Sequence, residues 1–179
     1  MRILAVDQAR HGGWSVFDYE TKSLVDYGEF NFDSRKFSFE ECLVGVSEFV
    51  ANLMNQFQCD AVFIEDTQFQ SNVLVLKQLA RLQGALMLTF KKHGWLFDVV
   101  TPSQWQSFCK ASGRTQKEIK AKVTSSESGQ KRRSKMLSME FVKNQYGVDT
   151  TNDNVADAIS IGHYVVHKIE LNVLDEKEK

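Results

Sequence analysis

Two apolar runs in this chain stop at an acid. Ile3-Leu4-Ala5-Val6 leads into Asp7, and Ala61-Val62-Phe63-Ile64 leads into Glu65. An unbroken apolar run of this length reads as a strand covered on both faces, and a carboxylate at its end is costly to bury alone. Two such groups on neighbouring strands repel each other unless a proton or a cation lies between them. Farther along, Asp153 and Asp157 are spaced i and i+4, so both project from one face of a helix near its start. Four oxygen donors of this kind make a site for a hard cation, magnesium or manganese rather than zinc. Each acid alone has a plainer reading. One in a helix's first turn complements the macrodipole, and one at a strand end is often simply solvated. The arrangement of the four across the whole chain favours the catalytic reading.

The elements that must position these acids follow from periodicity. Arg2 to Asp7 reads as a buried strand, Gly12-Gly13 as a turn and Trp14 to Asp18 as a hairpin partner, with a third strand from Leu24 to Phe32. Leu43, Val46, Phe49, Val50, Leu53 and Met54 then recur at helical spacing behind a capping Ser38. Cys59 to Glu65 is the next strand, Asn72 to His93 a helix stopped by Gly94, and Trp95 to Val100 a last strand. Pro102, the only proline, opens a helix that Thr101 can cap. Lys135 to Tyr146 reads as a helix, and Asn152 or Asp153 caps a final one running to about Leu171. The order predicts one α/β domain over residues 1–171: a mixed five-stranded sheet, a three-stranded antiparallel meander plus two parallel strands, flanked by helices. Residues 172–179 are expected to fray.

Bulk properties exclude little. With 22 basic and 23 acidic residues the net charge is -1, so any nucleic-acid contact must come from local charge. No apolar run is read as a membrane span and no signal peptide is evident, which predicts a cytosolic protein with no membrane partner. Cys42, Cys59 and Cys109 lack metal-ligand spacing and read as reduced structural thiols, and His11, His93, His163 and His167 show no ligand-like clustering. Residues 111–134 are polar enough to predict a mobile loop. Around it Lys110, Arg114, Lys117, Lys120, Lys122, Lys131, Arg132, Arg133 and Lys135 are opposed only by Glu118 and Glu127. Such a stretch is either a solvated loop or a phosphate-binding one, and its place just before the acid-bearing helix favours the second.

Taken in order, Ile3-Leu4-Ala5-Val6-Asp7, Val62-Phe63-Ile64-Glu65, Gln83-Gly84-Ala85, Thr101-Pro102-Ser103-Gln104 and Ala156-Asp157-Ala158 resemble the RuvC family of Holliday junction resolvases, from about Met1 to His167. Glu65-Asp66-Thr67-Gln68 is similar to the bacteriophage-encoded branch. The resemblance implies a ribonuclease H-like fold, a two-fold homodimer, and hydrolysis of branched DNA with magnesium, for which manganese can substitute. It implies that Asp7, Glu65 and Asp157 are metal ligands. The family places an acid or histidine at the position of Asn154, and Asp153, one residue earlier, is expected to serve instead. Gln106 replaces a lysine that relatives carry, while Lys117 matches another basic position used near the scissile phosphate. An aromatic that wedges into the junction falls by spacing on Gln68, with Phe69 the candidate one residue later. Asp7-Gln8-Ala9-Arg10 departs from the Asp-Pro-Gly of many relatives.

Two readings from other classes stay open at this point. A catalytically silent binder of branched DNA is favoured by Asn154 and Gln106. An ATP-binding protein of the actin-like superfamily would share the core of the fold, but Gly12-Gly13 fits its phosphate hairpin only loosely.

Overall fold

The computed structural model describes residues 1–68, 72–113 and 127–171, with only the backbone of Glu127, Ser128 and Lys131. Five strands, β1 (Arg2–Asp7), β2 (His11–Asp18), β3 (Leu24–Asn31), β4 (Ala61–Glu65) and β5 (Leu96–Val100), form one sheet in the order β3-β2-β1-β4-β5. β1 pairs antiparallel with β2 and parallel with β4, β2 antiparallel with β3, and β4 parallel with β5. This is the mixed sheet expected from the sequence, with β1 at its centre.

The period of two along β1 and β4 divides the core. Ile3, Ala5, Ala61 and Phe63 belong to one buried cluster, while Leu4, Val6, Val62 and Ile64 belong to another on the opposite face. Both faces are covered, which is why these strands read as continuous apolar runs. The second cluster is closed by α1 (Phe39–Gln56) and α2 (Val73–His93) through Val46, Val50, Leu82, Leu86 and Phe90. The first is closed by α3 (Pro102–Phe108), α4 (Glu127–Tyr146) and α5 (Asp153–Lys168) through Trp105, Val142, Ile159 and Val165. Asp7 and Glu65 continue the alternation by one residue beyond the last registered pair, Val6 with Ile64. Both therefore fall on the α5 side of the sheet.

Helix ends are capped as their residues dictate. Ser38 accepts from the Glu41 amide at 3.1 Å while the Glu41 carboxylate accepts from the Ser38 amide at 2.7 Å, a complete capping box. α2 starts on Asn72 and stops at Gly94, whose φ of 70° is the left-handed cap that glycine adopts without strain.

Five expectations are corrected. Gly12 and Gly13 form no turn but lie inside β2, opposite Phe30 and Glu29 of β3. α4 begins at Glu127, eight residues before Lys135. Residues 111–134 are thus not one loop: Ala111 is buried, and 127–134 is helical. The helix start is docked by tertiary bonds, Ser134 Oγ to the Ala111 carbonyl (2.8 Å) and Arg133 Nε to the Gly113 carbonyl (2.9 Å), which no local pattern reveals. The last helix ends at Lys168 rather than near Leu171. α2 also reaches the length and mean hydropathy, 1.3, of a membrane-crossing helix, contrary to the expectation that no segment does. Its Leu82, Leu86 and Phe90 close the sheet's second core, Val73, Leu74, Val75, Met87 and Leu88 are exposed, and Lys77, Arg81, Lys91 and Lys92 lie along it.

α5 rides close over β2. A Cβ on Gly13 would meet the Asn154 carbonyl oxygen at 2.0 Å, and Ser15 Oγ donates to the Ala158 carbonyl at 2.8 Å. Gly13 is also the register partner of Asp7. Gly13→Ala must therefore push the start of α5 off the sheet, with an expected loss of about 1–3 kcal/mol, the usual range for overpacking. Chemical denaturation of this variant beside Gly84→Ala, where the added Cβ meets nothing, checks the size and place of the effect.

Candidate active site

The alternation of β1 and β4 and the phase of α5 bring Asp7, Glu65, Asp153 and Asp157 together. Each of Glu65, Asp157 and Asp153 raises the pKa of Asp7 by its charge. Asn152 caps α5, its side chain accepting from the Asn154 amide at 3.0 Å and donating to Glu29, so Asp153 is free to face the cluster. Asn154 contributes its peptide to the close approach over Gly13.

Burial dominates the electrostatics. Loss of hydration, followed by the charges of Glu65, Asp157 and Asp153, holds Asp7 well above the usual carboxylate range. Burial, opposed by the bond from Trp105 and aided by the charges of Asp157 and Asp66, pushes Glu65 up to about 7. Asp157 is pushed to about 7 by burial and by Asp153, with Ser138 and Lys135 opposing. Raised this far, Glu65 and Asp157 stay partly protonated near neutrality.

The cluster's polar surroundings are specific. Trp105 Nε1 donates to Glu65 Oε1 at 2.8 Å. Gln8 Nε2 donates to the Glu65 carbonyl at 2.9 Å and to Thr67 Oγ1 at 3.3 Å, tying the end of β1 to the end of β4. Gln83 donates to Asp66 Oδ1 (3.1 Å) and accepts from the Thr67 amide (3.3 Å), fixing the turn that follows Glu65. The buried Ser138 hydroxyl donates to the Lys135 carbonyl at 3.1 Å and also lies beside Asp157, so its single proton can serve either.

Lys135 is the residue that sequence reasoning passed over. Its ammonium pairs with Asp153, and that bond, with the charges of Asp153, Asp157 and Asp7, raises its pKa. By sequence it is only one cation in a basic stretch. A usable signal was present: Lys135, Ser138 and Val142 share a helix face, and the latter two are buried, so the lysine must point toward the sheet. Of the other expected basic residues, Lys110 and Arg132 are exposed, and Arg133 is tied to Gly113. Phe69, Arg114, Lys117, Lys120 and Lys122 lie outside the described residues, as does the Lys131 side chain.

The donor set fits a hard divalent cation. It is all carboxylate on one side, mutually repelling, and Asp157 Oδ1 is buried without a hydrogen-bond partner. Among the described residues no three acid, histidine or cysteine side chains close on a single point. Asp153 is turned onto Lys135 and Glu65 onto Trp105, so the lysine supplies the positive charge on that side of the cluster.

The model of crossover junction endodeoxyribonuclease RuvC matches residues 3–167, a span that contains all four acids. The chain belongs to the RuvC family. The Helicobacter pylori (strain G27) RuvC, a crossover junction endodeoxyribonuclease, is 27% identical over 121 residues, which cover 66% of this chain and 76% of that one. The structure of T. thermophilus RuvC in complex with Holliday junction substrate superposes with a TM-score of 0.67 at 15% identity, covering 92% of each chain. Fowlpox virus resolvase, solved with Holliday junction DNA, gives 0.54 at 13% identity over the full length of both chains. The fold is ribonuclease H-like, as these neighbours have it. RuvC membership sets aside the actin-like reading.

The raised acids make a prediction about stability. A native state that holds protons more tightly than the unfolded chain loses stability as pH rises, here from the ordinary carboxylate range through about 7. His163, held neutral by burial and His167 with its pKa lowered to about 4, works in the opposite sense within that window. The difference between wild type and Asp157→Asn removes its contribution. In chelator the variant is expected to gain on wild type steadily as pH rises from about 4 to about 8, with magnesium narrowing the gap. Calorimetry across that range checks the sign.

Proposed function

We propose that this chain hydrolyses phosphodiester bonds at branch points in DNA, four-way junctions foremost and three-way junctions as well, with magnesium held by Asp7, Glu65, Asp153 and Asp157. The observation that carries the proposal is the convergence of these acids at the ends of β1 and β4 in a chain matched to RuvC from residue 3 to residue 167. Magnesium, or manganese in its place, would supply two-metal chemistry: an activated water and stabilisation of the leaving oxygen.

The chain's own residues then divide the work. Asp7, central among the four, would hold the metal from the end of β1. Glu65 lies on one side of it, and Asp153 and Asp157 lie on the other, on α5. Lys135 joins Lys117 as a lysine proposed for the scissile phosphate. With Asp153 engaged in holding a cation, the Lys135 ammonium would be free to pair with a phosphate oxygen and offset the charge that builds up during displacement. Lys110 and Arg132 stand exposed for phosphate contacts that hold the DNA without reading its sequence. The two residues that could have argued for a silent binder, Asn154 and Gln106, leave the acid cluster intact.

A four-way junction offers two equivalent strands, which suits a two-fold dimer. α2 carries the surface for one: Val73, Leu74, Val75, Met87 and Leu88 are exposed along a helix whose other side packs on the sheet. The Glu65 to Gln68 stretch keeps the phage-encoded branch as the proposed origin.

Labelled four-way, three-way and linear duplexes, incubated with magnesium, test the reading. Wild type is expected to cut the branched substrates. Asp7→Asn should lose roughly 10²–10³-fold or more of that rate, on the scale of removing a group that stabilises transition-state charge, while still binding the junction. Tight junction binding with no cutting in magnesium or manganese would establish the silent binder instead.

A further inference from the structure

Trp105 is wholly buried, and its ring belongs to the same core cluster as Ala5, Phe63, Ala156 and Ile159. A buried indole N–H needs an acceptor. Here the acceptor is Oε1 of Glu65, at 2.8 Å. Hydrogen bonds to an ionised acceptor are shorter and stronger than neutral ones.

The donor's position is set independently of the acid it serves. α3 starts on Pro102, with the Gln104 side-chain carbonyl accepting from the Thr101 amide at 2.9 Å, and ends with the Cys109 amide on the Trp105 carbonyl at 2.8 Å. The core then fixes the ring. The main chain of Glu65 is held separately, by Gln8 on its carbonyl and by the following Asp66 amide on the Val100 carbonyl at 2.8 Å. Backbone and carboxylate of one residue are thus anchored by two different elements, and only the carboxylate anchor reaches a reacting group.

We propose that Trp105 is a positioning residue for hydrolysis: its indole N–H holds Glu65 Oε1, so the carboxylate presents Oε2 to the cation in a fixed direction. This rests on the reading of Glu65 as a cation ligand. Partners that orient metal ligands in this way change metal affinity or activity by about 10–100-fold when removed.

Trp105→Phe keeps an aromatic ring in the core and deletes the N–H. The variant is expected to bind a four-way junction as wild type does. It should need about 10–100-fold more magnesium for half-maximal cutting, and manganese calorimetry in the absence of DNA should weaken by a similar factor. Saturating magnesium should recover most of the turnover rate. Unchanged manganese affinity and magnesium requirement in Trp105→Phe, with Glu65→Gln inactive, would reduce Trp105 to core packing. A fully active Glu65→Gln would overturn the ligand reading itself. If Trp105→Phe does not fold, the wild-type indole resonances decide, with Trp14→Phe and Trp95→Phe assigning them. The Trp105 N–H should shift during a magnesium titration, and a resonance unmoved through saturation sinks the proposal.

Discussion

Carboxylates that share one corner of a sheet repel one another, and each has lost part of the hydration that would have damped the repulsion. Asp7, Glu65 and Asp157 are held in that condition by the central strand, its parallel neighbour and the last helix, none of which can move away without opening a core. The fold therefore stores a demand for positive charge. Protons meet it at low pH, Lys135 meets part of it at Asp153, and divalent cations would answer it most fully.

Much of the surrounding structure is explained by keeping this corner rigid. The meander supplies β2, whose Gly13 lets α5 approach within backbone contact and whose Ser15 bonds the Ala158 carbonyl. Gln8 takes the place many relatives give to proline and ties β1 to β4 with a side-chain amide, a different way of stiffening the same turn. Gln83 reaches back from α2 to hold Asp66 and Thr67.

The sequence disclosed the acids because local patterns carry them. A strand covered on both faces reads as an apolar run, so the residue that ends it stands out, and Asp153 with Asp157 obey a helical spacing. What stayed hidden depends on contacts between distant segments. Glu127 to Ser134 is polar and has no apolar stripe, so its helicity became visible only with Ser134 and Arg133 docked on Ala111 and Gly113. That obscured start also hid the direction of Lys135. Asn152 and Asp153 are comparable caps by residue type, and the bond from Asn152 to Glu29 helps decide between them. Trp105 was legible as a core residue, but not as a donor to Glu65, because sequence does not say which way an indole turns.

The central claim is that these acids bind divalent cations as a group, and crystals soaked in manganese test it most directly. Anomalous scattering is expected to place manganese against Asp7, with Glu65 on one side and Asp157 on the other, and to show Lys135 withdrawn from Asp153. Manganese absent from the cluster at a pH above about 7, with the Lys135–Asp153 pair intact, would contradict the account.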